Sequence, residues 1–388
     1  MKVINLFYLM MQSEKYKTFI EILVSSFFIM SFFYMDNNAY KILFYSLSIF
    51  SQFLILIYYF LYKKIKDDIL IKYFTLIFLL FLLIFVFCFI GVKNKNIINR
   101  IFPLLSLFGI IIIGGKEFEN NRKHIIQNIT KIFIGLSLVM NIDFILFLLS
   151  KKTYIWEPVG YLGYRCQGPF FDPNFLALYA TTFFLIIYYS ENNYLNLKNK
   201  KIALVTVFLN IFFSGSFSTF IFLPLTIILH KINIIKNLKN NRKKMIIILL
   251  FYFILIFFYN IFYEEISKYL ILILKEIYND LESATIKFRS LDLRIMTQTK
   301  ALKLICLEWW GKGPRQLVPF LGMDTHNSYV GIAFEQGIIG FFILYVSLIK
   351  NCQNIIGRYV GTYLMLSALL INVHLLPLYS LFLMIQFL

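Results

Sequence analysis

The sequence predicts an all-α, polytopic integral membrane protein of about twelve transmembrane helices, with one long outer loop containing amphipathic helices. Three observations predict it. Of 388 residues, 60% are apolar and only 15% charged, with a mean hydropathy of +0.74, which excludes a soluble globular domain. Apolar runs long enough to cross about 30 Å of hydrocarbon recur between short charged segments. A single long polar stretch, 264–326, holds nine Lys or Arg and closes on His326-Asn327.

Taken in order, apolar runs at 19–35, 42–62, 71–92, 97–113 and 125–149 form the first five expected spans. Residues 1–18 are mixed polar and aromatic and lack a small-residue cleavage site, so the first span is expected to serve as the insertion signal. Further runs follow at 175–189, 245–263, 329–349 and 359–373. The segment 202–229 is interrupted by Ser214-Gly215-Ser216, and lysines flank it on both sides. If both flanks are cytoplasmic, it is a pair of short helices meeting at that break. Residues 376–388 number only 13 and complete the twelve if they cross.

The net charge of +18 would elsewhere raise the question of nucleic acid. Here the basic residues lie between apolar spans, and topology accounts for them. In the twelve-span arrangement, with both ends in the cytoplasm, inner segments carry 21 Lys or Arg and the short outer loops carry 7. That bias follows the positive-inside rule. The chain reads as one membrane domain, 1–388, in which 264–326 is the extracytoplasmic loop between late spans.

Within that loop Ile266, Leu270, Ile273, Ile277 and Leu281 recur at helical spacing opposite Glu265, Lys268, Glu276 and Asp280. Such a helix lies on a membrane surface. A second run, 291–310, contains no Gly or Pro and reads as helix until Gly311-Lys312-Gly313-Pro314 ends it. Those glycines make a turn rather than a phosphate loop, because the following Lys-Ser/Thr is missing. The four cysteines have no metal-ligand spacing, and Cys166 with Cys306, both expected outside, leave a disulfide open.

The candidate chemistry is concentrated in two segments. In Tyr164-Arg165-Cys166-Gln167-Gly168-Pro169-Phe170-Phe171-Asp172-Pro173-Asn174, Asp172 followed by Pro173 is a helix-start pattern. A helix N-terminus favours anions, and the Arg165 guanidinium suits phosphate, although Arg165 could equally mark the headgroup interface and Asp172 simply cap its helix. Arg289 and Arg294 begin the loop's second helix, where phosphate binding and plain solvation are both open. Of the four histidines, His326 is best placed to exchange protons, with an ordinary pKa of about 6.5; a structural role is the alternative. Glu335 follows at membrane depth, where an acidic side chain is costly.

This ordered set resembles the O-antigen polymerase and O-antigen ligase superfamily of polytopic glycosyltransferases. The resemblance is carried by Arg165, Gly168 and Asp172-Pro173-Asn174, by the Ser214-Gly215-Ser216 break, by Arg294 with Gly311 and Gly313, and by His326-Asn327-Ser328-Tyr329 with Glu335, Gly337 and Gly340. It covers roughly 165–340. Two features depart from it: Phe217 stands where many members carry arginine after the break, and the aromatic and proline pattern before Gly311 is reduced to Trp309-Trp310.

What the resemblance implies is inverting transfer of a glycan, without metal or cofactor, from an undecaprenyl diphosphate donor at the outer face of a bacterial inner (cytoplasmic) membrane. Arg165, Arg294 and Arg289 would bind the diphosphate, and His326 would be the general base. Asp172, Asn174, Asn327 and Glu335 would support them, with Asn327 or Glu335 orienting His326. The implied partners are the lipid-linked oligosaccharide, membrane lipids and a chain-length regulator. Polymerase and ligase differ in acceptor, a second lipid-linked repeat unit of O-antigen or capsular polysaccharide in one case and a lipid A core in the other. The polymerase is the expectation and the ligase its alternative. A flippase or exporter of lipid-linked sugars is the reading of another class, and would need charges lining a path through several spans.

Overall fold

The computed structural model describes residues 119–160, 164–170, 172–190, 199–231, 281–313, 316–341 and 355–369, with isolated residues at 18, 21, 22, 25, 250, 254, 262, 268, 271–273 and 275. Regular structure among them is all helix, with no strand and one isolated backbone bridge between Val159 and Arg165. The expected spans at 19–35, 42–62, 71–92, 97–113, 245–263 and 376–388 and the amphipathic helix at 266–281 lie, isolated positions apart, outside the described residues.

The first described helix, α1 (Glu119–Ser150), covers the expected span 125–149. Its stretch Arg122–Ser150 is, among the described residues, the one helix long and apolar enough to cross a membrane. Ile125, Ile129, Phe133, Met140 and Phe144 are buried on one side, while Leu138, Val139, Ile142, Leu146 and Leu149 are exposed on the other. Lipid tails accept such an exposed apolar face as readily as protein does.

At the centre lies α2 (Pro173–Tyr189), which packs against α1, α3 (Lys200–Ser214), α4 (Phe217–Lys231) and α8 (Ile355–Ser367). Nearly every side chain from Leu176 to Ile187 is buried, as a helix apolar all round requires. Phe133 stacks on Phe183 with ring centroids 4.3 Å apart, fixing α1 against α2. A polar clasp joins α1 to α3: Asn141 Nδ2 donates to the Thr206 carbonyl at 2.8 Å and Asn210 Nδ2 to the Ser137 carbonyl at 3.2 Å. Each amide reaches back one turn, following the direction in which helical side chains lean. Such a bond between helices in lipid contributes about 0.6 kcal/mol.

The Ser-Gly-Ser break divides 202–229 as the sequence reading expected. α3 ends at Ser214, Gly215 takes a left-handed conformation (φ 55°, ψ 31°), and α4 starts two residues later. Glycine suits that position because an L side chain there is strained. α4 in turn packs on α8, where Thr219 Oγ1 and the Tyr363 hydroxyl lie 3.1 Å apart.

The second helix expected in 264–326, α5 (Leu281–Leu307), is already helical at Leu281, ten residues before the expected 291, and stops before the Trp309-Trp310 turn. No Gly or Pro interrupts 281–310, so nothing local halts the helix at 291. A short helix, α6 (Leu317–Leu321), and α7 (Ser328–Phe341) follow, both packed on α5. α7 is kinked at Gly337, whose φ is 74°. Lys312 and Gly313 donate backbone N–H groups to the Phe334 and Glu335 carbonyls, and Ile338 donates to that of Trp309. The turn and the kink are therefore one interlocked unit. Cys166 and Cys306 are both free.

Candidate active site

Four chain segments meet at one end of these helices, and each is brought there by a local feature of the sequence. The loop after α1 folds back because the buried Asp143 carboxylate accepts from the Ile155 and Trp156 N–H groups, both at 3.1 Å. Val159 and Arg165 then exchange backbone bonds at 3.0 and 3.1 Å, and Cys166 N–H donates to the Phe213 carbonyl at 2.9 Å. That last bond draws the loop across the end of α3. Burial pushes the Cys166 thiol up to about 12, so it is held as an unreactive thiol.

Arg165 consequently lies over the helix break. Its Nε donates to the Ser214 carbonyl at 2.7 Å, one of the carbonyls left without an intrahelical donor at the end of α3. An Nη donates to Asn174 Oδ1 at 3.4 Å, and the same oxygen accepts from Ser216 Oγ at 3.0 Å. Ser216 Oγ is also 3.1 Å from Ser218 Oγ. The sequence pattern at Asp172 is realised as read: Asp172 is the N-cap of α2, its Oδ1 accepts from Asn174 N–H at 2.7 Å, and Pro173 occupies the first turn. The start of α2, the start of α4 and Arg165 are thus held in one network, with two helix N-termini side by side.

The other wall comes from α5 and the residues that follow it. Arg294 is half-buried on α5, and among the described residues no hydrogen bond or ion pair engages its guanidinium. Burial pushes it below its ordinary value, and the Asp172 carboxylate, within electrostatic reach, opposes that shift. An arginine stays protonated even so. Gln298 lies one turn further along, on the same face as Arg294, and its amide donates to the Thr325 carbonyl at 2.9 Å. Thr325 immediately precedes His326, so α5 positions the histidine directly.

His326 sits in the left-handed region at φ 49°, at a cost of roughly 1–2 kcal/mol. Its neighbours hold it there. Thr325 is fixed by Gln298 and by its own hydroxyl bond to the Asn327 carbonyl at 3.2 Å, and Ser328 N–H donates to the Ala368 carbonyl at 2.8 Å. Asn327 caps α7, accepting from Val330 N–H at 3.0 Å while Nδ2 donates to the Leu369 carbonyl at 3.0 Å. Its amide ties α7 to α8 rather than meeting the imidazole.

Burial first, and then the Arg294 charge, push the His326 imidazole below its ordinary range, while Asp324 and Asp172 draw it back more weakly. A histidine shifted this way is neutral at pH 7 and able to accept a proton. No family model, curated protein or solved structure matches this chain. Its function is therefore argued from the residues at this junction.

Of the eight residues singled out by sequence, Arg165, Asp172 and Asn174 share one hydrogen-bonded network, and Arg294 and His326 join it electrostatically through Asp172. Arg289 is exposed on α5 and stands apart. Glu335 is buried in α7, and its carbonyl takes the Gly313 N–H. Sequence reasoning passed over Gln298 and Asp324. Gln298 was legible as the residue four after Arg294, hence on the same helical face; Asp324 was legible only as a carboxylate two residues before the histidine.

Proposed function

We propose that this chain is an inner-membrane glycosyltransferase that polymerises lipid-linked oligosaccharide repeat units of O-antigen or capsular type, with its site on the extracytoplasmic side of a twelve-span, multi-pass fold. The observation that carries the proposal is the meeting of two arginines, Arg165 and Arg294, with a neutral histidine, His326, around the Asp172 helix start. A leaving diphosphate needs fixed positive charge, and an attacking hydroxyl needs a base.

In the proposed step, the acceptor hydroxyl oxygen attacks the anomeric carbon of the donor as the bond from that carbon to the undecaprenyl diphosphate oxygen breaks. The hydroxyl proton passes to the imidazole of His326. The electron pair of the broken bond leaves with the diphosphate, and Arg165 and Arg294 balance its growing charge. Asp324 Oδ1, buried and without a hydrogen-bond partner among the described residues, is suited to stabilise the imidazolium that results. The Arg165 Nε bond to Ser214 and the Nη bond to Asn174 fix the plane of the guanidinium.

Deleting the gene and profiling the lipid-linked sugars tests this reading. Single repeat units capping the acceptor, with no long chains, are the expected result for a polymerase. Long chains held on undecaprenyl diphosphate would identify a ligase, and units retained on the cytoplasmic side a flippase.

A further inference from the structure

The end of α5 displays an apolar surface that the site does not use. Leu307, Trp309 and Trp310 are 74%, 51% and 53% exposed, and Ile338 and Ile339 on α7 are exposed beside them, with the Ile338 N–H bonded to the Trp309 carbonyl at 2.8 Å. The display is rigid. A Cβ on Gly337 would lie 2.4 Å from the Trp310 backbone, and one on Gly311 2.4 Å from the Gly337 nitrogen, so the two backbones pass in direct contact at positive φ.

We propose that this surface is a lipid contact, and that the turn 307–313 seats the far end of the long loop in the outer leaflet of the bilayer. Two features favour lipid as the occupant over a protein or a water-borne sugar. From Ile338 the sequence continues Ile-Gly-Phe-Phe-Ile-Leu-Tyr-Val, the most apolar run of its expected span. Tryptophan presents an apolar body with one N–H and concentrates where hydrocarbon meets headgroups. The loop 264–326 is then an element with one end in water and the other in lipid, which holds α5, and with it Arg294 and Gln298, at a fixed height. The proposal rests on the membrane character of the chain and stands whether or not the transfer reading does.

The chain contains three tryptophans, Trp156, Trp309 and Trp310, so fluorescence isolates the pair. The full-length Trp156→Phe variant is reconstituted in vesicles of phosphatidylcholine and phosphatidylglycerol, with or without bromine on the acyl chains, and titrated with iodide. Emission from the pair is expected to be blue-shifted, to lose most of its intensity to brominated lipid and to be little affected by iodide. The double variant Trp309→Phe, Trp310→Phe, which reports Trp156 in the outer loop, is expected to show the weaker lipid quenching of the two. Quenching of the pair by iodide but not by brominated lipid overturns the proposal, and so does quenching by neither, which would show the patch covered by protein.

Discussion

Gln298 donates its side-chain amide to the Thr325 carbonyl at 2.9 Å, and both residues are buried. Through this bond the loop helix that carries Arg294 also sets the backbone leading into His326. Replacing Gln298 with Leu leaves a buried carbonyl unpaired, at about 1–3 kcal/mol. The expected outcome is a transfer rate lowered by roughly tenfold or more, with a modest fall in thermal midpoint, measured on purified protein in lipid. Wild-type rate in Gln298→Leu would remove α5 as the element that positions the histidine.

Arg294 acts on His326 by charge. Because burial and Arg294 both lower the imidazole pKa, the neutral base persists below its ordinary value, and activity falls only as pH drops through the depressed value. In Arg294→Gln the charge contribution disappears, the pKa rises toward about 6.5, and the acidic limb of the pH–rate profile moves to higher pH. The rate of the variant across pH 4–8 reads the direction of this movement. An unmoved limb would separate Arg294 from the base.

Arg165→Lys keeps the charge and loses the planar fork that spans Ser214 and Asn174. Donor affinity is expected to weaken by about tenfold, or roughly 1.4 kcal/mol, with the folded fraction unchanged. Binding of a polyprenyl diphosphate to the two proteins checks it.

Gly337→Ala adds a Cβ at 2.4 Å from the Trp310 backbone at a positive φ. Backbone cannot yield as a flexible side chain does, so the kink and the Trp309-Trp310 turn must part. A cost of about 3 kcal/mol is expected, seen as a lowered thermal midpoint and folded yield. Gly322→Ala, also at positive φ but with open space around the added Cβ, is expected to cost only about 1 kcal/mol.

Local grammar made much of this legible in sequence. Asp172-Pro173 spelled an N-cap that α2 bears out, and Ser214-Gly215-Ser216 spelled the left-handed turn between α3 and α4, because each depends on the conformation of one or two residues. That α5 is already helical at Leu281, before the expected 291, is not legible in the sequence, since no breaker marks a boundary there. Tertiary relations were less accessible. Arg165 reaching across to Ser214, 49 positions away, and Gln298 holding Thr325, 27 away, follow from how helix ends meet and leave no spacing signature. Asn327 shows the converse, a residue read beside a histidine as its orienter whose side chain is engaged in capping α7 and tying it to α8.

The central claim is that His326 takes the acceptor proton while the arginines hold the diphosphate. Purified wild type, Arg294→Ala and His326→Ala in liposomes, supplied with a polyprenyl diphosphate-linked repeat unit, test it most directly. Wild type is expected to lengthen the glycan and release polyprenyl diphosphate in step. His326→Ala is expected to bind the donor yet transfer it at least about a hundredfold more slowly. Full chain length from His326→Ala, alongside its loss in Arg294→Ala, would contradict the assignment of the base.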